Sequence, residues 1–160
     1  MNISVSTLDR LKTQHLSLPA LIAGLPVDRL ALPPLPGKWS IKDNIAHLTK
    51  YQLVFIERMH TLLTVHEPVF ETYRAENDLE FPRWLDKSAH LLIEELNKDR
   101  ITLTGLLTKM GDKELRRVGV HPKFGKLTVL DWTEFLLLHE AHHLFTIFRL
   151  AHDKDQPGYR

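Results

Sequence analysis

The sequence contains no cysteine. That excludes a disulfide framework, a thiolate nucleophile and every zinc site built on sulfur. It also lacks a charge excess: 21 Lys and Arg stand against 20 Asp and Glu, so no basic footprint argues for nucleic acid or an anionic membrane surface. Long hydrophobic runs are missing. The most apolar early stretch, Leu16 to Val27, falls short of the roughly 20 residues a bilayer span needs. Met1 to Lys12 carries Asp9 and no basic segment leading into an apolar one, so a signal peptide is not expected and the cytoplasm is the expected location. Low-complexity tracts and internal repeats are absent too. What is abundant is histidine, ten in 160 residues. Metal or acid–base chemistry in this chain must therefore use imidazole and oxygen groups.

Length predicts one domain, over residues 1–160. Proline and glycine divide it at 26–37, 68–82 and 111–125, leaving four blocks with helical periodicity at about 6–25, 40–65, 82–110 and 128–151. None alternates apolar and polar residues as a half-buried strand would. Pro19 predicts a kink in the first block or a restart near Ser17. Ser40 with Asp43, and Thr128 with Asp131, read as helix caps with an acid three residues on. Four amphipathic helices that need one another for burial make an all-α four-helix bundle, and connections this long leave its topology open.

The fourth block holds His139-Glu140-Ala141-His142-His143. Residues i and i+4 lie about 40° apart around a helix, so His139 and His143 can meet one ion. His143 falls on the side of Leu136, Ile147 and Leu150, whereas His142 falls toward the rim with Glu134 and Arg149. The letters also fit H-E-x-x-H, in which Glu140 would be the general base of a zinc protease. No glycine follows at the metzincin spacing and no glutamate occurs after His143, which argues against that reading. A third ligand is better sought upstream. His47 lies about two turns into the second block, and if the second and fourth helices are antiparallel its level nearly coincides with His139 and His143. Three histidines with an open fourth position are the pattern of a catalytic metal site. His15 sits on an apolar stripe and reads as a core histidine, whereas His60, His66, His90 and His152 read as surface residues. Tyr51, Arg58 and Glu140 could line a site, with a structural role favoured for each, Glu140 as half of an ion pair between helices or as a buried acid behind the site.

Three stretches carry a family likeness. They are Gly37-Lys38-Trp39-Ser40 leading to Ala46-His47-Leu48, the segment His121 to Thr128, and His139-Glu140-Ala141-His142-His143. In their order and spacing the chain resembles the DinB/YfiT-like family of four-helix-bundle metalloenzymes. The resemblance implies an up-down-down-up bundle, a divalent ion (nickel or zinc), and His47, His139 and His143 as its ligands. It further implies a small-molecule substrate and either hydrolysis or transfer of a low-molecular-weight thiol. Because the chain has no cysteine, such a thiol would arrive with the substrate or cofactor. The competing expectation is a non-catalytic, stress-related or interaction bundle with structural histidines. A second apolar stripe on the fourth block, Leu137, Leu144 and Phe148, could face another helix or a second subunit, so a homodimer is also expected.

Overall fold

A computed structural model describes residues 2–153; Met1 and residues 154–160, and with them the two ends of the 1–160 domain expectation, lie outside the described residues. Helix α1 (Val5–Thr13) passes through a 3-10 turn (Gln14–Ser17) into the short α2 (Leu18–Leu21). Pro19 occupies the first turn of α2, where its missing N–H has no helical partner to lose. The first block is thus restarted near Ser17. A short helix, α3 (Val27–Ala31), then leads to α4 (Ile41–Thr64). The Ser40 hydroxyl accepts from the Asp43 N–H while the Asp43 carboxylate accepts from the Ser40 N–H, closing the expected capping box.

The third block differs from its expectation. Instead of one helix from Pro82, the chain forms α5 (Phe81–Leu85), breaks, and restarts at Ser88, whose hydroxyl caps α6 (Ala89–Thr108). Capping at Ser88 satisfies an N–H of the new first turn, so the break costs little. After α7 (Asp112–Leu115) comes a hairpin that the periodicity did not predict, β1 (Val118–His121) paired antiparallel with β2 (Gly125–Thr128). Helix α8 (Val129–His152) completes the described fold, with the Thr128–Asp131 capping box in place.

Side-chain contacts fix the helix directions. Lys42 reaches the Leu85 carbonyl, Thr49 the Leu92 carbonyl, and Arg100 donates to Gln52, so α4 and α6 run parallel. Asn44 meets His143 while His47 meets His139, so α4 and α8 are antiparallel. Arg10 binds Glu134 and Gln14 binds Glu140, so α1 and α8 run parallel. The bundle is up-down-down-up. A parallel α4–α6 pair forces the chain to return the full length of the bundle between them, and residues 65–88 make that return. They are pinned to the hairpin by Phe70 N–H to the Val120 carbonyl and Val120 N–H to the Pro68 carbonyl.

Two apolar clusters fill the bundle. One gathers Leu18, Ile41, Ile45, Leu92, Leu96 and Ile147; the other gathers Leu11, Phe55, Leu62, Leu103, Trp132 and Leu136. Between them lies a buried polar layer: His15, His47, Gln52, Arg100, Glu140 and His143. Leu137 and Leu144 are buried in these clusters, the former with Leu11 and the latter with Leu18. The second stripe of α8 is therefore covered mainly by the first helical segment of the same chain. Of that stripe Phe148 stays exposed, as do Leu138 and Phe145 elsewhere on α8. No helix among the described residues is long and apolar enough to cross a membrane.

Candidate metal centre

His47, on the second turn of α4, and His139 and His143, on one face of α8, come together in the polar layer. One ring nitrogen from each lies within 4.8 Å of the others. Antiparallel packing of α4 against α8 produces this meeting, as the register argument requires. His142 is exposed, at the rim; His60, His66, His90 and His152 are exposed as well, and none of them joins the cluster. His15 is a core histidine, facing Arg100.

Burial holds all three triad imidazoles neutral. It lowers the pKa of His47 to about 4, of His139 to about 2 and of His143 to about 3, with the mutual repulsion of the histidines adding to the effect on His139 and His143. Neutral rings keep a lone pair free for a cation at physiological pH. His143 is further prepared. Its Nδ1 lies 2.8 Å from the Asn44 Oδ1, which can only accept, so Nδ1 carries the proton and Nε2 the lone pair. The Nε2 atoms of His47 and His139 are 3.1 Å apart. Two nitrogens on one tetrahedral zinc ion, each at about 2.0–2.1 Å, would sit roughly 3.3 Å from each other. The buried Nδ1 atoms of His47 and His139 have no hydrogen-bond partner among the described residues. The donor set thus suits a divalent cation: three neutral imidazoles converging from two helices.

An aromatic wall surrounds the triad. Trp39 lies against His47 and His143, with ring centroids 4.8 and 6.0 Å away; Tyr73 stacks on His47 at 5.8 Å; Tyr51 packs on His139 at 4.3 Å. Arg58 donates to the Tyr51 hydroxyl at 3.2 Å and to the Glu71 carbonyl at 2.6 Å. Burial raises the Tyr51 pKa and the Arg58 charge opposes it, which leaves the phenol protonated at neutral pH. Tyr51 and Arg58 therefore flank the site.

Glu140 does not. Its carboxylate pairs with Arg100 and accepts from Gln14, both side chains of the pair being 2% exposed, on the side of α8 that faces α1 and α6. One residue on a helix is a turn of about 100°, and that rotation takes Glu140 away from the ion-binding face. The zinc-protease reading of H-E-x-x-H loses its general base, and the interhelical ion pair holds. His121, a member of the loop that leads to α8, is a turn residue: its Nδ1 accepts from the Lys123 and Phe124 amides.

Sequence reasoning missed Asn44, Trp39 and Tyr73. Asn44 had a detectable signal, since it stands three residues before His47 and so on the same face of α4. Trp39 had one too, directly preceding the Ser40 cap. Tyr73 had none, because it reaches the site only through the return segment.

Comparison with known proteins places this geometry. A family model described as the DinB superfamily matches residues 10–147. An uncharacterised protein of Bacillus subtilis strain 168, YuaE, is 28% identical over 135 residues, covering 77% of this chain and 83% of that protein. Among solved structures, YfiT from Bacillus subtilis superposes with a TM-score of 0.79 at 19% identity, over 95% of this chain and 87% of that one. YfiT is described as a probable metal-dependent hydrolase with an unusual four-helix bundle topology. The DinB-like protein YjoA of the same organism superposes with a TM-score of 0.59 at 14% identity, over 97% of each chain. At these identities the structural matches speak for the fold.

Proposed function

The chain belongs to the DinB superfamily, and from that premise we propose that it is a divalent-metal-dependent enzyme whose ion is held by His47, His139 and His143. The observation that carries the reading is the convergence of three neutral imidazole nitrogens, two on buried rings and one on the half-buried His139, within 4.8 Å of one another. YfiT, described as a probable metal-dependent hydrolase, shares the fold and supports it. Nickel and zinc both suit three imidazole ligands with an open position. Such an ion supplies an acidified water or thiol as nucleophile near neutral pH.

The residues of the chain do the rest. Asn44 fixes the tautomer and ring plane of His143 through its Oδ1. Trp39, Tyr51 and Tyr73 exclude bulk water from the triad, and Tyr51 keeps a hydroxyl proton beside it. The reaction class is hydrolysis or transfer of a low-molecular-weight thiol to a small-molecule substrate. In the second case the thiol comes from outside, because the chain has no cysteine. The exposed Leu138, Phe145 and Phe148 on one side of α8 favour a homodimer, which light scattering on the eluting protein tests; a monomer at micromolar concentration contradicts it.

Metal analysis of protein purified without an affinity tag tests the centre. A near-stoichiometric divalent ion in the wild type and its loss in His143→Ala are expected. A metal-poor wild type, or full retention by His143→Ala, overturns the assignment and leaves the histidines structural.

A further inference from the structure

The return segment between α4 and α6 lines an open pocket of about 420 Å³, walled by Arg58, Glu71, Tyr73, Arg74, Asn77 and Asp78 among others. That volume is in the range of small-ligand sites. Its inner wall is unusual in charge. Arg58 is 8% exposed, and its guanidinium sits among the rings of Tyr51, Phe70 and Trp132, 5.5 to 5.8 Å from each centroid. Two of its donors serve a phenol and a backbone carbonyl, neither of which carries negative charge. No carboxylate forms an ion pair with it among the described residues. Arg100, in the polar layer, has Glu140, and the third buried arginine, Arg29, donates to the Leu150 carbonyl and lines no part of this pocket. Asp78, on the cavity wall, is taken by the Tyr73 hydroxyl and by Lys50. Buried cations are ordinarily paired, because an unpaired one forfeits its hydration without an anion in exchange. Arg58 is instead left facing a cavity, with Arg74 on the same wall.

We infer that this cavity receives the anionic end of the substrate, a carboxylate or a phosphate, through Arg58 and Arg74, while the reacting end lies at the histidine triad. Two tyrosines connect the two ends. Tyr73 belongs to the cavity wall and stacks on His47, and Tyr51 joins the Arg58 guanidinium to the His139 ring. The substrate class is therefore a small organic acid or phosphate ester long enough to reach past Tyr51 and Tyr73 from its charge to its labile bond. Guanidinium donors suit such oxygens because a planar fork can grip two of them at once. The inference rests on the metal-centre reading for the position of the reacting end, but not for the anion site itself.

Calorimetric titration of the full chain with succinate, inorganic phosphate and neutral succinamide, before and after chelation, separates the two. Saturable binding of succinate or phosphate in both states is expected, with at least tenfold weaker affinity in Arg58→Gln, at least threefold weaker in the exposed Arg74→Gln, and no binding of succinamide. The stronger of the two anions identifies carboxylate or phosphate as the natural group. Arg74→Gln keeps the test decisive should Arg58→Gln fail to fold. Anion binding that vanishes on chelation, or that survives unchanged in the folded variants, overturns the inference. Anion binding at Arg58 in a protein that takes up no divalent ion would overturn the metal centre and leave the anion site standing.

Discussion

Replacing Glu140 by glutamine distinguishes an interhelical ion pair from a catalytic acid in the H-E-x-x-H segment. The substitution keeps the shape and removes the charge. In the wild type the two side chains of the Arg100–Glu140 pair are 2% exposed, and Arg100 spends further donors on Gln52 and the Leu11 carbonyl. Glutamine retains one acceptor but sets an amide NH2 against guanidinium donors and leaves Arg100 as a buried, unpaired cation. Breaking one side of such a pair costs about 3–5 kcal/mol, a large part of the roughly 5–15 kcal/mol that holds a domain together. For a chain of this size that corresponds to a fall of roughly 6–20 °C in Tm. The assay is a double-mutant cycle in urea and by calorimetry with Glu140→Leu, Arg100→Leu and the two combined, measured beside Glu140→Gln. The double variant is expected to recover most of the loss, since apolar side chains of similar size leave no charge stranded. Metal content of the folded Glu140→Gln protein should match wild type. A Glu140→Gln protein within about 1 kcal/mol of wild type would refute the ion-pair argument. So would metal loss without destabilisation, which would return Glu140 to the metal site.

Three further outcomes are expected. Asn44→Ala should weaken metal affinity about 10- to 100-fold while keeping the ion-to-protein ratio at saturation, because it frees the Nδ1 of His143 without removing a ligand; competition with a chromogenic chelator measures it, and unchanged affinity argues against the tautomer role. Gly119→Ala should cost about 1–3 kcal/mol in urea unfolding, since the new methyl would lie 2.8 Å from both the Leu62 and Phe70 side chains, and a neutral result would contradict the close approach of hairpin and return segment. In metal-free protein the folded pKa values of His47, His139 and His143 lie below their ordinary 6.5, so the unfolded chain binds more protons. Stability should therefore be complete above about pH 6.5 and fall as the pH drops toward 4; a urea midpoint that stays constant from pH 7 to 4.5 would contradict their burial.

What the sequence made legible was what depends on local spacing. The capping boxes at Ser40 and Thr128 are three-residue signals, and both helices start where those signals stand. The triad was legible because His139 and His143 share a face by helical geometry, and because His47 needed only the antiparallel pairing to reach their level. Hidden features depend on tertiary partners or on segments too short to show a period. Four-residue strands such as Val118–His121 carry no measurable alternation, and their pairing is secured by the return segment at Val120. The break at residues 86–88 was masked because Leu85 and Ala89 continue one apolar stripe across it. Whether the α8 stripe faces another helix or a second subunit stayed open in the sequence, because only the fold, with its 3-10 turn at Gln14–Ser17, brings Leu11 and Leu137 into one cluster and Leu18 and Leu144 into the other.

The polar layer explains why these features belong together. Parallel packing of α4 and α6 brings Gln52 to Arg100, and antiparallel packing of α4 and α8 brings Asn44 and His47 to His143 and His139. Helix α8 is thereby held on two adjacent faces at one level, by Arg100 and Gln14 on Glu140 and by Asn44 on His143. A rotation of one residue, about 100°, would strand Glu140 away from its cation and turn the imidazoles away from α4. Apolar contacts alone tolerate such slippage better, because they are not directional. The ion pair that contributes no group to the candidate centre therefore shares with the Asn44 and Gln14 contacts the fixing of the rotation and register that bring the three histidines together.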